Sequence, residues 1–188
     1  IDVNGNLVWG PDAVPVCIEP GYATNPHVVA TSDGGACVAW DDNRNGYSDI
    51  YAQKIDQNGQ VLWQSGGMAV CPESWNKYSA QLTGDGAGGA IVVWYDERSY
   101  NETYAQRIQS DGSRAWAESG VRVFASYGDD DPRIMPDGAG GAFVALDIYW
   151  DEEEPNDIYI QRLDHDGNLL WGPRGSAVCV AEHEQFRP

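Results

Sequence analysis

The chain is short of basic residues: 11 Lys and Arg stand against 29 Asp and Glu in 188 residues, a formal net charge of −18. A surface this acidic repels polyanions, which excludes nucleic acid and anionic lipid as partners gripped by the protein's own charge. No run of about 18 apolar residues occurs, so insertion into a membrane as a hydrophobic helix is excluded too. There is no Cys-x-x-Cys pair for zinc, no Gly-x-Ser-x-Gly elbow, no phosphate loop and no dinucleotide fingerprint. The three histidines, His27, His165 and His183, sit in unrelated contexts and read as turn or surface residues. What is present in quantity is 8 Trp, 10 Tyr and 22 Gly within a chain that is 42% hydrophobic. That composition can build a core, and it favours strands and tight turns over helix.

Self-similarity governs the rest. Gly5-Asn-Leu-Val-Trp9 returns as Gly59-Gln-Val-Leu-Trp63, Gly112-Ser-Arg-Ala-Trp116 and Gly167-Asn-Leu-Leu-Trp171, at steps of 54, 53 and 55 residues. Two further registers keep the same step. One is Gly34-Gly-Ala-Cys-Val-Ala-Trp40, Gly88-Gly-Ala-Ile-Val-Val-Trp94 and Gly140-Gly-Ala-Phe-Val-Ala-Leu146; the other is Asp49-Ile-Tyr-Ala-Gln53, Glu102-Thr-Tyr-Ala-Gln106 and Asp157-Ile-Tyr-Ile-Gln161. Each unit reads as four strands: a first run such as His27 to Thr31, an Asp-Gly turn, an apolar second strand, the Ile-Tyr-Ala-Gln third strand, and a fourth strand carrying the repeated Trp. The continuous hydrophobicity of the second strand fits burial on both faces. The expected fold is therefore all-β: tandem four-stranded antiparallel blades of about 54 residues, as a β-propeller or a propeller-like open array.

On this register residues 1–26 are the end of a preceding blade and its connection, 27–78, 79–130 and 131–172 are three blades, and 173–188 lead to a further one. Three blades cannot close a ring of about four to eight. The expectation is that further repeats of the same chain, or self-association of copies, cover the end faces. The repeated Trp residues then read as inter-blade core.

The stretch Gly88 to Arg98, followed by Tyr104-Ala-Gln-Arg107 and a Gly-x-x-x-Trp, resembles repeats of large secreted and surface proteins of environmental bacteria, which are usually β-propellers. A looser similarity links Asp2 to Trp9, Asp56 to Trp63 and Asp164 to Trp171 with the Asp-box hairpins of sialidase-like propellers, although the usual leading Ser or Thr is missing. In that family the Asp-box is structural, so the resemblance implies a propeller fold and an extracellular or cell-surface location, and no particular chemistry.

Candidate sites are few. Asp42 with Arg44 and Asp96 with Arg98 recur in successive units, which suits loop-holding ion pairs better than a unique catalyst. Cys17, Cys71 and Cys179 share one repeat position with Phe124 and read as reduced core thiols; Cys37 is unrepeated, and a Cys17–Cys37 bridge is the alternative in an oxidising compartment. Asp41, Asn43, Asn45 and Asp49 match the early ligand positions of an EF-hand loop, making calcium the one candidate cofactor, but Ala52 stands where a bidentate Glu is needed. Departures from the repeat point to Trp75, Tyr149 and Trp150 as loop aromatics suited to stacking on sugar rings, with packing over neighbouring strands as the alternative. Asn101-Glu-Thr103 is a glycosylation sequon.

The sequence thus leads to the expectation of a non-enzymatic extracellular structural or adhesion protein, assembling into a fibre or a larger propeller. Its alternative is a carbohydrate-binding or sialidase-like propeller with glycans as partners.

Overall fold

The computed structural model describes residues 3–99, 102–125, 127–128, 131–149 and 157–179. Every regular element among them is a strand, and no helix long and apolar enough to cross a membrane occurs there. The first sheet runs in the order β1 (Ala23–Ala30), β2 (Ala36–Asp42), β3 (Asp49–Ile55), β4 (Met68–Ala69). The second repeats it with β5 (Lys77–Gly84), β6 (Ala90–Asp96), β7 (Glu102–Ile108) and β8 (Val121–Phe124). In the third, β10 (Arg133–Pro136), β11 (Ala142–Tyr149), β12 (Asp157–Leu163) and β13 (Ser176–Cys179) follow the same path, and β9 (Tyr127–Gly128) lies on the same edge of β11 as β10. All pairings are antiparallel and no sheet is closed.

Side chains explain why each hairpin closes where it does. Asp85 Oδ1 accepts from the N–H groups of Ala87 and Gly89, both at 2.8 Å, while its other oxygen accepts from Arg107 Nε of the third strand at 3.0 Å. Asp137 repeats this with Ala139, Gly141 and Arg162. In the first unit the carboxylate moves two positions along the turn to Asp33, and Lys54 meets it at 2.5 Å. A turn made by one carboxylate is thereby tied to the strand two places away in the sheet.

The fourth strand is not the segment that carries the repeated Trp, contrary to the sequence expectation. After the Asp56-Gln-Asn-Gly59 turn Val61 bridges back to Ile55 and Leu62 N–H donates to Lys54 C=O at 2.8 Å, and the chain then leaves the ladder. A buried glutamine replaces the missing backbone partners. Gln53 Oε1 accepts from Lys54 N–H and Trp63 N–H, both at 2.9 Å, and its Nε2 donates to Gln64 C=O at 2.7 Å. Gln106 and Gln161 do the same for Trp116 and Trp171. The chain turns once more and returns as β4, β8 or β13, so the third sheet extends to Cys179, beyond the limit at 172 read from the sequence. The first and second sheets likewise begin earlier than expected, at Ala23 and Lys77, and the third takes in β9 from Tyr127, ahead of 131.

The sheets stack face to face, with the first strands β1, β5 and β10 side by side. Between the first two lies an apolar layer that includes Cys37, Ala39, Ile50 and Ala52 against Ala80, Val92, Trp94 and Ile108. Ile91, Val93 and Ala105 fill the next layer with Val144, Leu146, Ile148 and Leu163. Alternate residues of β6 therefore serve both layers, and all seven are buried. Each Trp indole then reaches the turn of the following unit: Trp9 Nε1 donates to Gln57 C=O, Trp63 Nε1 to Ser110 C=O and Trp116 Nε1 to His165 C=O, at 3.1, 3.1 and 2.9 Å. The ring lies on the turn glycine. Gly112 and Gly167 have φ of +89° and +84°, and a Cβ there would come within 3.0 Å of Trp63 and 2.8 Å of Trp116. Trp63 and Trp116 are 8% and 9% exposed, whereas Trp9 and Trp171, at the two ends of the described stack, are 39% and 40% exposed. Val28 on the first sheet and Met135 and Val178 on the third are also exposed, so the two outer faces of the stack present apolar surface.

The glutamine anchor gives a direct check. Gln106→Leu strands the N–H groups of Arg107 and Trp116 and the C=O of Ala117 in a buried setting, and should cost about 2–4 kcal/mol in urea unfolding. A loss below about 0.5 kcal/mol would show that the anchor is dispensable.

Candidate functional site

The first strands end in two different environments. At the Ala30 end a hollow of about 430 Å³ is walled by Val29, Ala30, Ser32, Thr83, Asp85, Pro136 and glycines of the second and third Asp-Gly turns. Its polar side chains are spent on the fold: Asp85 on its own turn and Arg107, Ser32 on Gly86 C=O. At the Thr24 end a hollow of about 300 Å³ is lined by Tyr22, Thr24, Asn25, Asp41, Asp42, Asn43, Ser48 and Tyr78. The residues of this second wall carry hydroxyl, amide and carboxyl groups beside apolar surface, a mixture suited to a polyol ligand.

Two strained bulges build it. The register of β1 on β2 slips between Thr24 and His27, and that of β5 on β6 between Tyr78 and Gln81. At these slips Asn25 and Ser79, which occupy equivalent positions of the repeat, have φ of +49° and +56°. Left-handed backbone at a non-glycine residue is uncommon and concentrates at functional sites. Both bulges converge on Asp41. Asn25 Nδ2 donates to its Oδ2 at 2.8 Å, and the N–H groups of Ser79 and Ala80 approach its two oxygens at 3.4 and 3.5 Å. The carboxyl is 6% exposed, and burial raises its pKa despite the three donors. Asp41 thus keeps its proton to a higher pH than an ordinary carboxyl and can donate it to a ligand oxygen.

Its neighbour Asp42 is shifted the other way. Burial acts to raise it, but Arg44 and the Trp40 indole outweigh burial and hold the group below the usual carboxylate range. Trp40 Nε1 donates at 2.8 Å and Arg44 Nε at 2.9 Å, while the guanidinium lies 3.9 Å over the Tyr51 ring and reaches Cys17 Sγ and Gly66 C=O. Trp94, Asp96, Arg98, Tyr104 and Cys71 repeat this cluster. The Asp–Arg pairs hold loops, in line with their recurrence. In the third unit Leu146 and Ile148 take the Trp and Asp places, while Asp147 stands in register with Asp41 and with Tyr95 of the second unit.

The four residues read as a calcium set are dispersed over separate tasks. Asn43 Oδ1 accepts from Tyr22 N–H at 2.7 Å, Asn45 Nδ2 donates to the Tyr51 hydroxyl, Asp49 pairs with Lys77 at 2.9 Å, and Asp41 holds the bulges. Among the described residues no group of three His, Cys, Asp or Glu stands where it could hold a metal. All four cysteines are free: Cys37 lies in the layer facing the second sheet and Cys17 against Arg44, so the Cys17–Cys37 bridge does not form. Burial pushes the Cys37 thiol up to about 12, which keeps it protonated and unreactive.

Trp75 is 53% exposed and does not line the hollow, but it is next in the chain to Asn76, which bonds to Ser48 of the hollow's wall. Its connection is fixed by Lys77, whose fully buried ammonium donates to Asp49, to Glu73 C=O and to Trp75 C=O, and by Asn76, which accepts from Ser48 N–H on the rim. Tyr149 is described only as backbone in β11, paired with Tyr127, and Trp150 and Asn101 lie outside the described residues. Sequence reasoning missed Tyr22, Asn25 and Tyr78, and it missed the proton-holding role of Asp41. One signal was present: this repeat position varies, with Asp41 and Asp147 in the first and third units and Tyr95 in the second.

No family model matches the chain, and no curated protein matches it. Among solved structures it is similar to an endo-arabinase from Bacteroides thetaiotaomicron VPI-5482, with a TM-score of 0.51 and 15% identity over 82% of this chain. The chain spans 61% of that protein's length. A glycoside hydrolase on this fold overturns the expectation of a non-enzymatic structural or adhesion protein, and with it the expectation of no enzyme activity. That expectation took recurring carboxylates as purely structural, whereas Asp41, which recurs as Asp147 in the third unit, is held by bulge donors and not by an arginine.

The opposite shifts of Asp41 and the paired carboxylates fix a pH dependence. Asp96, fully buried, is lowered on balance because Arg98 and Trp94 outweigh burial, so its stabilisation is present above its unfolded pKa near 3.8 and is lost as pH falls below it. Asp41, raised by burial, works in reverse and weakens the fold as pH rises through the interval above 3.8. Asp96→Asn should therefore flatten the acid limb of a melting-temperature profile between about pH 4 and 2, and Asp41→Asn should leave that limb in place. An unchanged acid limb in Asp96→Asn would contradict the assignment.

Proposed function

We propose that this chain is part of a carbohydrate-active β-propeller. The three stacked sheets are blades, the side-by-side first strands line the axis, and further units of the same chain or another copy cover the two outer faces. Glycan enters at the Thr24 end, against Tyr22, Asn25, Ser48 and Tyr78, and runs over the exposed indole of Trp75. A polymeric glycan is met outside the cell, which is where this reading puts the protein.

The observation that carries the proposal is Asp41, a buried, proton-holding carboxyl fixed by two strained bulges on the wall of a hollow that also holds Tyr, Ser, Thr and Asn. Glycoside hydrolysis needs one carboxyl that stays protonated to give its proton to the departing oxygen, and a second, ionised one. Asp41 has the environment of the first. Asp42 does not qualify as the second, because its oxygens are engaged by Trp40 and Arg44. The likeness in fold to an endo-arabinase adds support, and polymeric arabinan is the first substrate to try.

Incubation with a panel of polysaccharides, arabinan included, tests this reading. Reducing ends should be released from at least one polymer, and Asp41→Asn should cut the rate about 100-fold or more while the melting temperature is kept. Activity should also fall as pH rises through the raised pKa of Asp41. Release unaffected by Asp41→Asn would overturn the role of that residue, and the absence of both release and retention across the panel would overturn the carbohydrate reading.

A further inference from the structure

We infer that the hollow at Asp41 selects uncharged glycans and rejects those bearing carboxylates, an inference that rests on the carbohydrate reading above. Recognition of a uronate or a sialic acid needs a guanidinium or ammonium free to pair with the ligand's carboxylate. Among the described residues the hollow's wall has none: its acidic members are the proton-holding Asp41 and the ionised Asp42, and the rest are Tyr, Thr, Asn and Ser. A nearby basic ring, His27, meets Gln81 at 3.3 Å and acts on Asp41, and the arginine and lysine cations around the hollow are committed elsewhere. Arg44 spends its guanidinium on Asp42, Gly66 C=O and Cys17 Sγ. The ammonium of Lys77, whose side chain is fully buried, is surrounded by Asp49, Glu73 C=O and Trp75 C=O. Farther off, Arg98 is held by Asp96, Arg107 by Asp85 and Arg162 by Asp137, each within its own unit.

The repeat itself explains this. Ion pairing is how each unit fastens its turns and loops, so basic residues are consumed by the architecture in a chain that has few of them. An anionic sugar entering here would lose the hydration of its carboxylate, gain no counter-charge and face Asp42, which is held ionised. An uncharged sugar faces only groups that can exchange hydrogen bonds with its hydroxyls. The sialidase-like form of the carbohydrate reading is the one this geometry disfavours.

Affinity electrophoresis with hydroxyethyl cellulose and carboxymethyl cellulose, which share a backbone and differ in charge, tests the inference alongside linear arabinan and polygalacturonate. The expected result is retention by one or more uncharged polymers, with the carboxylated counterpart at least tenfold weaker at low salt. Asp41→Asn, with Asp42 ionised beside it, should keep that preference, whereas raising the salt concentration should narrow it. Equal or tighter binding of carboxymethyl cellulose or polygalacturonate would overturn the selectivity and leave the carbohydrate reading standing. Retention by no polymer at all would overturn both.

Discussion

Everything in this molecule depends on one recurring contact: the indole of each unit's tryptophan set on the turn of the unit that follows. A single four-stranded antiparallel sheet with apolar residues on both faces cannot hide them alone, and it gains stability only when another sheet covers each face. The contact fixes how the sheets meet. The indole N–H donates to a turn carbonyl, the ring covers a glycine that tolerates positive φ, and a buried glutamine holds the tryptophan's own backbone in position. Sheet-to-sheet register follows from it, and with that register comes the meeting of the β1 and β5 bulges over one carboxyl.

Much of the fold was legible because the sequence repeats at three independent registers, and residues that recur at every unit report on architecture. The apolar run Ala90 to Trp94 announced a strand buried on both faces, which β6 is. The fourth strand was misread for a physical reason: the segment around Trp63 has a strand-like pattern and starts on the third-strand backbone at Val61 and Leu62, but from Trp63 its hydrogen bonds go to the side chain of Gln53. Nothing in one-dimensional pattern separates an amide side chain acting as a strand partner from a polar residue in a strand.

The candidate site was less legible. Asp41, Asn43, Asn45 and Asp49 have the sequence spacing of a cation loop, yet β2 ends and β3 begins within the stretch, and the four side chains diverge to four partners. The left-handed backbone at Asn25 and Ser79 has no signature in a single sequence, since both residues are ordinary turn formers. The division of labour is nonetheless clear. Asp42 and Asp96 are neutralised by arginine and hold loops, and Asp56 and Asp164 hold turns through Asn and backbone N–H groups, while Asp41 has neither arginine nor lysine among its hydrogen-bond donors.

Nuclear magnetic resonance on the 20.6 kDa chain tests the central claim most directly, by following backbone amide shifts during titration with an arabino-oligosaccharide. The account predicts that the largest changes fall on Asn25, Asp41, Ser48, Tyr78 and Ser79, with Trp75 following. Changes confined to the glycine-rich hollow around Gly86 and Gly138, or to the outer face at Met135 and Trp171, would contradict it.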